Sequence, residues 1–157
     1  MRLLGNIIWF FLGGWLLFII YAISAIVFFP MFIPLFRLAR YAVWPFGRDV
    51  VTKSQLDEYR KTKNIESGSS VAEEGIKNLS GLLNLIWMFT FGWLLALTHL
   101  ICSLINLCFF WTIVAIPNIG GHWKLIRVAF LPFNKVIVPV SVSQEITDGI
   151  AKGRLGI

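Results

Sequence analysis

No aspartate, glutamate, lysine or arginine occurs from residue 3 to 36 or from 78 to 123, runs of 34 and 46 residues. About 18 apolar residues already mark a candidate transmembrane helix, and the cores of soluble domains rarely supply runs of this length. Charged residues make up 14% of the chain and apolar ones 57%, against roughly 25% and 45–50% in soluble globular domains. So little charge excludes a water-covered surface, and lipid is the expected solvent. The lack of any carboxylate inside either run removes the usual ligands of proton-coupled or metal-cation transport. The chain also lacks a phosphate-binding glycine loop, a His-Glu-x-x-His and a Cys-x-x-Cys. No catalytic, metal or cofactor site is expected, and no nucleic-acid partner. Cysteine is scarce too. Cys102 and Cys108 lie about 240° apart around a helix, so they do not pair with each other and read as small apolar fillers.

The first apolar run has the outline of a signal peptide, with Arg2 ahead of it and a small-residue site at Ala22-Ile23-Ser24. A signal's apolar region spans roughly 7–15 residues, whereas this one continues on both sides of that site. The segment is expected to remain.

The two runs share a pattern. LGNIIWFFLGGW at residues 4–15 and LLNLIWMFTFGW at 82–93 place Asn6 with Asn84, Trp9 with Trp87, Gly14 with Gly92 and Trp15 with Trp93. Further on, in a register shifted by nine residues, Pro30 matches Pro117, Arg37 matches Lys124, Arg40 matches Arg127, Pro45 matches Pro132 and Arg48 matches Lys135. The expected fold is an all-α integral membrane protein of two tandem repeats. Each repeat is an apolar helical hairpin or re-entrant pair followed by an interfacial basic helix, with short β segments at the repeat ends. Residues 1–51 form the first repeat, 52–78 a polar cytoplasmic linker, 79–138 the second repeat and 139–157 a polar tail. Within the linker, Ser67-Gly68-Ser69-Ser70 marks a solvated connection, and Ser54 is the expected cap of a short helix over 54–63. Val50-Val51 and the β-branched run after Lys135 suit strands that pair with each other.

A Lys/Arg excess beside membrane segments favours the cytoplasm. With both basic boxes and Arg2 inside, each apolar block must enter and return. The second block has room for two passes. The first, about 50 Å as helix, is too short for two spans near 30 Å and becomes a tight or re-entrant hairpin. The rival topology carries the first block across once and leaves the amino terminus outside.

Arg37, Arg40 and Arg48, with Lys124, Arg127 and Lys135, form the basic boxes. The i, i+3 pairs share a helix face, and a basic helix with aromatics suits the headgroup plane of an anionic bilayer. Two readings are open: anchoring to lipid, or lining an anion path in a homo-oligomer. Asn6 and Asn84 are expected at helix interfaces, where Gly14 and Gly92 permit close approach. Trp9, Trp15, Trp87 and Trp93 suit interface belts, although members of each pair face different ways. His99 and Asn106 are polar outliers at membrane depth, candidates for helix contacts or a path. His99 has Tyr21 at its matched position, so the architecture does not demand an imidazole. His122, two residues before Lys124, is expected to meet water, and Gly120-Gly121 reads as a hinge or close-packing site.

These segments together resemble the YccF family, the small bacterial inner-membrane-component domain. The residues that carry the likeness are the two Asn-Ile-Ile/Leu-Ile-Trp segments, Phe-Gly-Trp-Leu-Leu at 91–95 and Thr98-His99-Leu100. Ile116-Pro117 with Lys124-Leu125, and Trp-Pro-Phe-Gly-Arg at 44–48, complete it. The second copy departs from the family pattern, with Pro132-Phe133-Asn134-Lys135 in place of Pro-Phe-Gly and a basic residue, and with Asn118 after Ile-Pro. The resemblance implies a multi-pass bacterial plasma-membrane protein and brings no assigned biochemical activity. Two functions are carried forward: a structural or accessory component that holds a membrane partner or organises lipid, and a homo-oligomeric pore for ions or small solutes.

Overall fold

In an apolar solvent a backbone must satisfy its own hydrogen bonds, and a helix does so within one segment. The two charge-free runs accordingly fold as helices. In the computed structural model, which describes residues 2–65, 71–113 and 115–156, the chain divides into two units. One comprises Met1–Phe46 with Asn84–Pro132, the other Gly47–Leu83 with Phe133–Ile157.

In the first unit, α1 (Arg2–Trp9) leads through a π-turn at Phe10–Gly14 into α2 (Trp15–Val27), and a 3₁₀ turn at Phe29–Met31 leads into α3 (Phe32–Val43). The order recurs. Helix α5 (Val71–Trp87) enters the unit at Asn84 and passes through a π-turn at Met88–Gly92 into α6 (Trp93–Leu107), which α7 (Ala115–Phe130) follows. Read through their π-turns, Arg2–Val27 and Lys77–Leu107 are 26 and 31 residues long and apolar enough to cross a membrane. Gly13 interrupts the first of them at φ 133°, a conformation that only glycine adopts readily.

Helix α3 packs against α2 and α7 against α6. This differs from the expected order in one respect: the returning arm of each hairpin and the basic helix are a single element. Arg37 and Arg40 lie in α3, Lys124 and Arg127 in α7. With 12 and 16 residues, these arms are about 18 and 24 Å long, short of the ~30 Å hydrocarbon core. Of the second block, Lys77–Leu107 has the length of a span and α7 is shorter than one. The block's additional residues lengthen α6, α7 and the turn between them.

The turns at the far ends are bonded internally. Phe28 N–H donates to Ser24 O and Met31 N–H to Phe28 O, while Cys108, Phe109, Phe110, Thr112 and Ala115 each donate an N–H to a carbonyl a few residues back. Leu17, Tyr21, Ala25, Leu35, Ala39, Leu95, Ala96, Leu125 and Ala129 are buried between the helices. The outer faces stay apolar, with Phe11, Ile26, Ile33, Phe89, Leu104 and Ile105 all exposed.

In the second unit, β1 (Arg48–Thr52) and β2 (Lys135–Pro139) form an antiparallel ribbon with Arg48 opposite Pro139 and Thr52 opposite Lys135. This is the expected pairing. Each strand runs directly into a helix, α4 (Lys53–Thr62) or α8 (Val140–Leu155). The cap of α4 is Thr52 rather than Ser54. Thr52 Oγ1 accepts the Gln55 N–H at 3.1 Å and Gln55 Oε1 accepts the Thr52 N–H at 2.8 Å, a capping box that the strand end presets. The polar tail folds as α8, whose Ile146 and Ile150 pack with Val51, Leu56, Tyr59, Val136 and Val138. Gly47 (φ 93°) and Asn134 (φ 65°) turn the chain into the two strands. Asn134 thus takes the left-handed conformation of its glycine counterpart, which asparagine tolerates better than most residues. The Ser67-Gly68-Ser69-Ser70 connection lies outside the described residues.

Candidate functional site

The shared Asn-Trp-Gly motif has a geometric use. Trp9 Nε1–H donates to Ala42 O at 2.8 Å, and Trp87 Nε1–H donates to Ala129 O at 2.8 Å. Both acceptors lie in the last turn of a returning helix, where carbonyls have no intrahelical partner. Gly14 and Gly92 follow these tryptophans by five residues, one π-turn later. A Cβ on Gly14 would sit 2.5 Å from Trp9 Cδ1, and one on Gly92 2.9 Å from Trp87 Cδ1. Glycine leaves the space into which each indole folds. Trp9 and Trp87 are buried while Trp15 and Trp93 remain exposed, so only the latter pair suits an interface belt. Asn6, also buried, clamps the end of its hairpin. Its Nδ2 donates to Phe46 O and its Oδ1 accepts the Phe46 N–H, both at 2.9 Å. Asn84 is half-buried.

A chain of polar side chains crosses the interior of the unit. Tyr21 Oη lies 3.0 Å from His99 Nε2, and His99 Nδ1 lies 3.1 Å from His122 Nδ1. One proton occupies each link. Either Tyr21 donates to His99 and His99 to His122, or the direction reverses. All three residues are buried. The expectation that His122 meets water is therefore corrected: its ring stands 4.5 Å from that of Trp9. The signal for this was the spacing of Asn118, His122, Leu125 and Ala129, which lie on the inward face of α7, while Arg127 is exposed. Gly121 packs close beneath Trp9, where a Cβ would meet Trp9 Cζ3 at 2.8 Å, whereas Gly120 has open space.

Beside His122 lies a cavity of about 100 Å³, lined among others by Leu12, Gly13, Leu16, Thr98, Cys102 and Asn118. In the sequence Asn118 stands out only as a departure from the family pattern after Ile-Pro. It is 2% exposed, and its Nδ2 has no hydrogen-bond partner among the described residues. Asn106 donates to Cys102 O on its own helix at 2.8 Å. Ser24, Thr90 and Thr98 likewise bond carbonyls four residues back, which satisfies their hydroxyls locally.

Arg37, Arg40 and Arg127 are exposed, and Lys124 is half-buried. Arg48 and Lys135 stand at the starts of the two strands. In the second unit, Arg154 Nε and Nη2 donate to Glu58 Oε1 and Oε2 at 2.8 and 3.0 Å, and Tyr59 Oη–H donates to Glu145 at 2.6 Å. The Arg154 guanidinium holds the Glu58 carboxyl below its ordinary value, and donation to Glu145 pushes Tyr59 upward.

Among the described residues two helices are long and apolar enough to cross a membrane, and their outer faces are apolar. The chain belongs to the YccF family, whose model, an inner membrane component domain, matches residues 4–48 and 82–135. It is similar to the inner membrane protein YccF of Escherichia coli (strain K12), 26% identical over 160 residues covering 98% of this chain and 99% of that relative. The protein of the same name from Shigella flexneri matches with the same identity and coverage. No solved structure matches. The chain is thus a component of the bacterial inner membrane.

Proposed function

We propose that this protein is a structural or accessory membrane component that enters the bilayer as two sister hairpins from the cytoplasmic face. The observation that carries this reading is the contrast between the two ends of each hairpin. At the far ends, Phe29, Phe109, Phe110, Trp111 and Ile113 are exposed, in turns without a charged residue where the N–H groups of Phe28, Met31, Phe109, Phe110 and Thr112 bond internally. Such turns suit hydrocarbon, where an unsatisfied backbone group costs several kcal/mol. At the near ends, the Asn6–Phe46 and Trp87–Ala129 bonds hold the outgoing and returning arms together. The start and finish of each block thus share one side, which supports the parallel-repeat arrangement over a single crossing by the first block. The pairing of β1 with β2 joins the strands that follow the two basic boxes, which supports one common, cytoplasmic side for both. Arg37, Arg40 and Arg127 then rest against anionic headgroups, each contributing about 1 kcal/mol.

The pore reading requires polar side chains that line a shared path. Asn6 and His99 are instead turned into the interior of one chain, and Asn106 bonds to its own helix. The structural role therefore has the stronger support.

Cysteine accessibility tests the arrangement. Native Cys108 is exposed beside the second turn. It should resist a membrane-impermeant maleimide from either face and react only after solubilisation. Ser54→Cys and Ser141→Cys, placed in a chain whose native cysteines are replaced, should react from the cytoplasmic face alone. Labelling of Cys108 from the periplasm, or of the two serine sites from opposite faces, would end the proposal.

A further inference from the structure

The cavity beside Asn118 combines apolar lining with a donor that has no acceptor among the described residues. Asn118, on α7, is 2% exposed and its Nδ2 finds no acceptor among the described residues. Leaving an amide donor buried and unbonded costs about 1–3 kcal/mol, a penalty that an incoming oxygen relieves. The opposite wall is apolar. Leu16 and Ile20 are spaced i, i+4 on α2, and Leu12 joins them from the preceding π-turn; Leu12 and Leu16 are also exposed at 61% and 48%. The groove is therefore continuous with the outer apolar surface rather than with a water-filled channel. Its volume of about 100 Å³ is roughly two-thirds of the ~150 Å³ cavity known to accept benzene. That is room for a carbonyl group and the first carbons of a chain.

We propose that this groove binds one acyl chain of a membrane glycerolipid, with an ester carbonyl oxygen accepting a hydrogen bond from Asn118 Nδ2 and the chain lying along Leu12, Leu16 and Ile20. The inference rests on the reading that these helices are immersed in lipid. An ester carbonyl fits because it supplies an acceptor without a charge. The described residues lining the groove include no lysine or arginine to neutralise a carboxylate or phosphate. Thr98 spends its hydroxyl on Leu94 O at 2.9 Å, so it does not compete for the oxygen.

The test is photolabelling of the full chain in phosphatidylglycerol vesicles with a phosphatidylglycerol probe that carries a diazirine close to the acyl carbonyl. A matching free fatty acid probe runs in parallel, and adducts are mapped by mass spectrometry. Leu12, Leu16 and Cys102 should carry several-fold more glycerolipid adduct than the exposed reference residues Leu97, Leu104 and Ile105. Asn118→Leu should lower that excess about five-fold, the worth of one net hydrogen bond. Leu16→Trp, at an exposed position that burdens no core, should abolish it by filling the groove while circular dichroism stays unchanged. Equal labelling of groove and reference residues overturns the inference. So does an excess that both variants leave intact, or an excess seen with the fatty acid probe alone. Absence of adducts at the reference residues as well would instead overturn the immersion of the helices in lipid.

Discussion

Trp9 and Trp87 each place an indole N–H on a carbonyl that the end of a helix would otherwise leave unpaired. Trp9→Phe and Trp87→Phe should each lower stability in detergent by about 1–3 kcal/mol, since the carbonyl loses its donor in a buried setting. Trp15→Phe and Trp93→Phe, at 47% and 49% exposure, should change it little. A denaturant titration of the four variants separates the two classes, and equal losses would remove the capping role. The imidazole of His99 serves two neighbours, Tyr21 and His122. His99→Leu should therefore cost more than Tyr21→Phe, because it strands both. The triple variant Tyr21→Phe, His99→Leu, His122→Leu should recover part of that loss, as apolar replacement of a whole network often does. Thermal melts would show it. Much at this scale was legible in the chain. The matched Asn, Trp and Gly positions were visible because one local geometry is written twice. The partnership of His99 with His122 was not, since 23 residues and a turn separate them and the nearby Lys124 suggested water.

Packing between α4 and α8 shows why a tail of serines, glycines and mixed charge becomes a helix. Gly149 and Gly153 are spaced i, i+4, and a Cβ at either would strike Tyr59 or Thr62. These glycines admit the neighbouring helix, whereas in a sequence they count against helix formation. Gly149→Val should destabilise this unit by about 1–3 kcal/mol through overpacking. Gly81→Ala, with open space at its Cβ, should be neutral or slightly stabilising. Hydrogen exchange in the full chain measures both, across α8 for the first and across α5 for the second. The Glu58–Arg154 tie adds a pH dependence. Glu58 has a folded value below its ordinary 4.5, so its contribution is present above that value and lost as the pH falls below it. Glu58→Gln should flatten the acid limb of a stability profile taken between about pH 3 and pH 7, by a small amount because the pair is exposed. A limb of unchanged slope would remove the tie from the account. The strands were readable from their β-branched residues. The merger of return arm and basic helix was not, because apolar length gives the reach of a block and not the point where it folds back.

At the scale of the whole chain, Arg37, Arg40 and Arg127 are exposed and flank apolar runs, residues 3–36 and 78–123, that contain no charged residue. Replacing Arg37, Arg40 and Arg127 with glutamine should reduce the anionic lipid retained on purification while neutral lipid is unchanged, since about 1 kcal/mol per cation is lost near a charged surface. Equal loss of both lipid types would point to unfolding instead. Family and compartment were accessible from the chain because hydropathy and matched motifs survive at 26% identity. Placement of the buried Asn118 required three dimensions. The ribbon has a consequence for biosynthesis. Arg48 and Pro139 are opposite one another but 91 positions apart, and at about 5–20 residues per second a ribosome needs roughly 5–18 s to supply the missing strand. During that interval the nascent first half carries an unmatched strand edge at its newly made end. Chaperones or the insertion machinery have their longest opportunity to engage the polypeptide there.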